Sequence, residues 1–374
     1  MKGGLWFATL LIAVSGSALT AETSPLSRED RKLLEWFNTL GYAGNLAIDP
    51  LVRITVLEDK VVDRRDAGGP QLGFLLSEQG GRFKVLLLSL TTRSFPKSDV
   101  RMERVELADF AREVVAGNDG DSVADLESKD IFVLAHACAD AGLEQLAHDM
   151  IVKARAASRE PDHFQEALAY DFAFWDLFNT LTDYRLGAPR AEVRDRLKRL
   201  VNNFPHFDEG IELARDTQQT LSRMVDEDRR LAKRTSPKTA LEGEARIREL
   251  IFSLRDEAGF QFSQPGSVEF LGPFSAPTSP ANQLLAAGYA AVPQLIEALE
   301  NTRLTRGVYY RTSPRYVVTI GECAAQILQR ISGESFYLID SRGRFNPKAT
   351  KARAEAWWAR HSRQLQPATG LRAR

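Results

Sequence analysis

The sequence predicts a mainly α protein built from helical hairpins, with a small β-hairpin unit near its N-terminus. Three observations carry this. From about residue 101 to 366, apolar residues recur three to four apart, as in Ile247, Leu250, Ile251 and Leu254, the spacing of a helix with one buried face. Residues 51–95 instead alternate, as in Val52, Ile54 and Val56, which is the period of a strand. Third, the stretch from Ser279 to Gly333 matches itself at an offset of 33 residues, and repeats of that length mark stacked units that cannot bury their apolar faces alone.

In chain order, Lys2, the apolar run Leu5–Val14 and the small residues Ser15–Ala21 have the charge, length and exit of a secretory signal. Cleavage is expected after Ala18 or Ala21. The expectation is an exported protein, periplasmic or extracellular, that is not an integral membrane protein once residues 1–21 are removed. Residues 22–100 then hold a helix and the β unit. Pro25–Leu40 is predicted helical, capped by Ser27 with Asp30 three residues on, a short capping box. Leu33, Leu34, Phe37 and Leu40 form its apolar stripe. Leu72–Leu76 and Phe83–Leu90 flank Glu78-Gln79-Gly80-Gly81, which predicts a hairpin in a unit of two or three strands.

Residues 101–235 are predicted helical, starting with one helix over Arg101–Ala116. The acidic connector Asn118–Asp130 does not fit a calcium loop, because Val123 and Ala124 stand where an oxygen ligand and a glycine are needed. A helix capped by Ser128 follows. In residues 128–161, Leu134, Ala135, Gly142, Ala147 and Ala154, with Pro161 near the end, fall at the small and apolar packing positions of a helical hairpin. This segment resembles a tetratricopeptide repeat, and Phe164–Pro205 resembles a weaker copy. Phe172, Phe174, Trp175, Phe178 and Tyr184 cluster at helical spacing, which reads as core, with a ligand groove as the alternative. Ile211–Lys233 is a further amphipathic helix, and Ser236–Glu242 a break.

Residues 236–280 comprise a helix, Ala245–Ala258, and a Gly-, Pro- and Ser-rich linker, Phe260–Pro280. Residues 281–366 hold the self-matching pair and a last helix, Lys348–Gln366, with Trp357 and Trp358, expected to cap the stack. Aligning Gly288 with Gly321 sets Leu284 on Val317, Ala291 on Ala324 and Leu295 on Leu328. The "AVPQLIEAL" and "GECAAQIL" segments resemble second helices of HEAT repeats, and the resemblance implies an α-solenoid that binds other proteins. The connection Asn301–Ser313 is too long for a plain repeat turn, and long ordered loops are often functional. Residues 367–374 are expected to form a disordered tail.

The chain of 374 residues has a net charge of −1, so bulk charge selects no partner. Residues 301–374 carry fourteen Lys and Arg against four Asp and Glu, a local +10, leaving −11 on the rest. From residue 22 on there is no GxSxG, Walker A, HExxH or GxGxxG pattern. The five histidines are dispersed; His136 and His148, the latter beside Asp149, are the pair that a helical hairpin could bring together. Cys138 and Cys323 read as small buried thiols, with a disulfide as the alternative. The sequence therefore predicts no catalytic residue, no metal site and no cofactor. The candidate binding residues are Arg303, Arg306, Tyr309, Tyr310, Arg311 and Arg315, a run of the residue types enriched at binding hot spots. The expected function is a non-catalytic exported interaction or scaffold module. Its partner would be another protein or an anionic envelope component, not nucleic acid. An envelope-associated hydrolase with an unrecognised active site is the alternative.

Overall fold

The computed structural model describes residues 25–41, 46, 50–57, 70–117, 126–208, 210–232, 242–263, 266–272 and 275–365. The expected signal at residues 1–21, the acidic stretch 118–125, most of the expected break at 236–242 and the expected tail lie outside them. Among the described residues no helix is long and apolar enough to cross a membrane.

Helix α1 (Arg28–Thr39) opens on the expected capping box: Ser27 Oγ accepts from the Asp30 amide, and the Asp30 carboxylate accepts from the Ser27 amide. Five strands follow, β1 (Leu51–Val56), β2 (Gln71–Gln79), β3 (Arg82–Leu87), β4 (Thr92–Pro96) and β5 (Val100–Arg104). They form one antiparallel sheet in the order β4-β3-β2-β1-β5, larger than the two or three strands predicted. The hairpin turns on Gly80 and Gly81, at φ +57° and +73°, as a type I′ turn requires. Strand β5 lies where a single helix over 101–116 was expected. Its alternation of Val100 and Met102 with charged residues suits a strand, and its pairing with β1 decides the outcome; α2 (Leu107–Ala116) starts only afterwards. One sheet face, with Leu51, Phe74 and Leu86, joins the helical core. The other carries its own cluster of Val52, Ile54, Val85 and Leu87.

Helices α3 (Ser128–Asp140) and α4 (Glu144–Ala157) pack as an antiparallel hairpin, turning at Gly142 with φ +74°. The small residues Ala135, Ala147 and Ala154 are fully buried, which lets the helices approach closely. The N-cap of α3 is Glu127, paired with Asp130, one residue before the expected Ser128. Ser128 is buried instead, and its hydroxyl donates to the Ala154 carbonyl of α4. Helices α5 (Phe164–Arg185), α6 (Arg190–Asn203) and α7 (Ile211–Ala232) complete this first core.

A second core begins at α8 (Gly243–Ser253), so that helix is no part of a linker. The Gly- and Pro-rich stretch holds a two-residue ribbon, β6 (Phe260–Gln261) with β7 (Val268–Glu269), and Phe270 is buried in the core. Then come α9 (Pro280–Ala287), α10 (Val292–Ala298), a β-hairpin of β8 (Leu304–Tyr310) and β9 (Pro314–Thr319), α11 (Ile320–Ser332) and α12 (Pro347–Leu365). Helix α12 packs on α10 and α11 and buries Trp357.

The self-match holds for half of its length. Leu295 on α10 and Leu328 on α11 are both fully buried. In the second copy, however, the place of the first helix is taken by strand β9, which contains Val317 and Val318. The run Tyr316-Val317-Val318-Thr319 is β-branched and aromatic, and pairing with β8 settles it as strand. The aligned glycines also differ in role. Gly288 has φ +57° with open space around it, a turn glycine. Gly321 lies in the first turn of α11, where a Cβ would stand 2.4 Å from the Leu299 carbonyl oxygen, so it marks a close approach of α10 to α11. Helix, hairpin and helix thus replace a pair of stacked helical repeats.

Candidate functional site: a cleft between the two cores

The β8–β9 hairpin sits between the cores. Leu304, Val308, Tyr310 and Val317 pack into the first, while Val318 and Tyr309 pack into the second. This is the segment expected to be a long, outward arginine–tyrosine loop. The β-branched and aromatic runs Val308-Tyr309-Tyr310 and Tyr316-Val317-Val318 pair with each other as strands, which explains the difference. Helix α5 receives it: the Tyr310 hydroxyl lies 3.0 Å from the Thr182 hydroxyl, the Tyr184 hydroxyl donates to the Thr305 carbonyl, and Phe178 meets Tyr310 edge-on. Of the α5 aromatic cluster, Phe178 and Tyr184 thus meet this chain's own hairpin, while Phe172 packs on Phe37 and Phe132. Gln261 adds a side-chain bridge to both backbone groups of Tyr310.

The six predicted binding residues divide accordingly. Arg306 is 9 % exposed; one guanidinium nitrogen donates to the carbonyls of Tyr184 and Ala188 at 2.9 and 2.6 Å, and its plane lies over the Tyr184 ring. Arg303 grips Glu227 of α7 with two hydrogen bonds, at 2.7 and 2.8 Å. Tyr310 is buried, and Tyr309 stacks on Tyr316 at 4.9 Å. Only Arg311 and Arg315 stand exposed. Much of the basic charge of the hairpin is thus turned inward. With Arg190 and Arg255 it meets Glu227, Asp228 and Asp256 across the junction of the cores.

His136 and His148 do not meet. Both reach α1, His136 Nε2 at 2.9 Å from the Asn38 amide oxygen and His148 Nδ1 at 2.9 Å from the Asp30 carboxylate. Asp149 accepts from Gln145 rather than facing a histidine. Cys138 and Cys323 are free, buried in separate cores, and burial raises both thiols, Cys138 to about 12. No three metal-ligating side chains group together among the described residues.

A cleft of about 690 Å³ runs beside the hairpin, between α7 and the second core. Its first wall is one face of α7, with Glu212, Asp216, Thr220 and Arg223 about one turn apart. Strand β9 supplies Arg315 and Tyr316, and the segment before α12 supplies Tyr337, Asp340, Arg344 and Phe345. At its base lies Glu322, in the first turn of α11. This carboxyl closes a capping box that the sequence reading overlooked, although Thr319-Ile320-Gly321-Glu322 has the required spacing. One Glu322 oxygen accepts from the Thr319 amide and hydroxyl at 2.8 and 2.9 Å; the other accepts from the Tyr337 hydroxyl at 3.1 Å. Burial raises the Glu322 carboxyl and outweighs these donors, which act to lower it. Desolvation, then the Glu322 charge, pushes Tyr316 up to about 12, and burial raises Tyr337 as well. Both tyrosines therefore stay neutral near pH 7. The cleft presents neutral phenols, ionised carboxylates and guanidinium donors, which suits hydrogen-bonded recognition.

No family model matches the chain, and neither the curated proteins nor the solved structures compared with it give a match. The class that the fold and site define is a mainly α, two-core protein with an antiparallel sheet and a ligand-sized cleft beside an inserted hairpin.

Proposed function

We propose that this protein is a non-catalytic exported binding module that holds its partner in the cleft between α7 and the second core. One observation carries the reading: the cleft combines aromatic rings with guanidinium and carboxylate groups in a volume within the usual range for ligand sites, about 300–1,000 Å³. Its buried carboxyl, Glu322, is engaged at both oxygens by Thr319 and Tyr337, a positioning role rather than that of an acid facing a substrate. The likeness of α3–α4 to a tetratricopeptide hairpin supports an interaction protein, and the signal-like N-terminus supports export. The exposed Arg315 keeps part of the predicted arginine–tyrosine surface within the site, now with Tyr316 beside it. The hydrolase alternative draws on the raised Glu322 carboxyl; it requires Glu322→Gln to abolish turnover of an envelope substrate.

The test places a photoreactive amino acid at Thr220, inside the cleft, or at Lys198, exposed on α6, in otherwise unchanged protein incubated with envelope extract. Adducts from position 220 and not 198 are expected. Equal yields from both would overturn the reading.

A further inference from the structure

Resting on that reading, we propose that the ligand of the cleft is a neutral oligosaccharide, seated with a sugar ring face on Tyr316. The ring of Tyr316 stacks on Tyr309 with centroids 4.9 Å apart and planes 16° apart. One face is therefore backed and held, while the residue stays 39 % exposed and lines the cleft. A second aromatic pair, Tyr337 with Phe345 at 4.9 Å, lines the same cleft. A sugar ring offers a patch of C–H groups on its face and hydroxyls around its rim. Backed, rigid aromatic faces accept the former at small entropic cost, because little side-chain freedom is left to lose.

The rim chemistry points the same way. Each sugar hydroxyl both donates and accepts; an arginine only donates and an ionised carboxylate only accepts. A wall that alternates the two satisfies such a ligand. Glu212 and Asp216 stand on the same helix face as Arg223, with Arg315 opposite on β9 and Asp340 beside Arg344. An anionic ligand would be repelled by the carboxylates and a cationic one by the guanidiniums. A neutral, polyhydroxylated ligand meets neither penalty. Glu322 contributes indirectly: by accepting from the Tyr337 hydroxyl it fixes the orientation of that phenol.

The test uses ligand-observed NMR on the full mature chain, with the neutral tetrasaccharides cellotetraose, fully N-acetylated chitotetraose and maltotetraose as separate probes and a tryptic digest of casein as the peptide probe. At least one tetrasaccharide is expected to bind. Tyr316→Phe should retain that binding, because the ring face remains, and Tyr316→Ala should weaken it tenfold or more. A paired change of two exposed residues, Arg223→Ala with Arg315→Ala, should also weaken it, which covers the case in which Tyr316→Ala disturbs the fold. No tetrasaccharide binding up to about 10 mM, or binding indifferent to both sets of changes, would overturn the proposal. Casein peptides that bind in a Tyr316-dependent way, with no saccharide binding, would overturn the saccharide while leaving the cleft as a binding site. Shortened saccharides appearing with the wild type would support the ligand class and overturn the non-catalytic reading.

Discussion

Arg306→Ala should destabilise the protein by about 3 kcal/mol, whereas Arg311→Ala, five residues on, should change stability by no more than about 0.5 kcal/mol. The two arginines look alike in the sequence. Arg306 is 9 % exposed, and its guanidinium donates to the Tyr184 and Ala188 carbonyls at 2.9 and 2.6 Å. Tyr184 is in the last turn of α5, where a cation is favoured; its carbonyl also accepts from the Gly187 amide, so the acceptor that depends on Arg306 alone is that of Ala188. A hydrogen bond to a charged group contributes about 1.5–3 kcal/mol, and an acceptor left buried without a donor costs about 1–3 kcal/mol. The burial that keeps Arg306 in place also opposes its charge, together with Arg190 and Arg255 nearby. That offsets part of the gain, and a net loss near the middle of the range follows. Arg311 is exposed, and surface changes are usually within about 0.5 kcal/mol. Urea unfolding followed by circular dichroism measures both, provided the slope with denaturant is unchanged. If Arg306→Ala unfolds within about 0.5 kcal/mol of the wild type, the hairpin is not anchored as described and an outward-facing basic loop becomes the better account.

Leu295→Ala and Leu328→Ala each empty a fully buried site and should each cost about 2–5 kcal/mol in the same assay; values near zero would mean that α10 and α11 do not form the centre of the second core. Gly321→Ala should cost about 1–3 kcal/mol, as other overpacking changes do, because the new Cβ would stand 2.4 Å from the Leu299 carbonyl oxygen; Gly288→Ala, with open space but φ +57°, should fail by backbone strain instead, and an unchanged melting temperature for Gly321→Ala would refute the close approach. Acid should weaken the fold in two steps. Burial holds His136 below its usual 6.5 against the pull of Asp140, so the unfolded chain takes up the proton first and stability falls as pH drops below 6.5. Burial pushes the Asp30 carboxyl up, but hydrogen bonds from Ser27 and His148 outweigh it and hold it below 3.8, so its contribution is present above 3.8 and is lost as pH falls through its folded value. Melting curves of wild type and His136→Gln between pH 7 and 5 should diverge, the variant showing the shallower fall; identical slopes would remove His136 from the account.

What the sequence made legible was local. The Ser27 and Asp30 capping box, the Gly80-Gly81 turn and the small residues of α3–α4 each depend on neighbours within one or two turns of chain, and each stands in the structure as read. The misreadings of whole elements involve partners far away in the chain. Strand β5 looked helical because its pairing strand, β1, lies about fifty residues earlier. The β8–β9 segment looked like a long binding loop because its arginines and tyrosines were read as a recognition surface. Their partners, the Tyr184 and Ala188 carbonyls for Arg306 and Glu227 for Arg303, lie 76 to 122 residues away. A strand carrying Arg306 inward between Leu304 and Val308 violates the usual alternation, and only a prepared set of carbonyl acceptors makes that violation tolerable.

The cleft was illegible for a related reason. Its α7 wall is a polar stripe at helical spacing, Glu212, Asp216, Thr220 and Arg223, which in a sequence cannot be told from the solvent face of any amphipathic helix. What makes it a wall is the second core placed opposite, and that placement is set by the inserted hairpin. The junction ion pairs, Arg303 with Glu227 and Arg190 with Asp256, tie the same two bodies together beside the cleft. The basic excess of residues 301–374 and the acidic balance of the rest thus meet in part across one interface. There the charge holds the cores in register, and the cleft that results owes its shape to contacts made by Arg303, Arg306 and Tyr310. The arginine–tyrosine segment thus supports the cleft, and its exposed end, Arg315 and Tyr316, lines it.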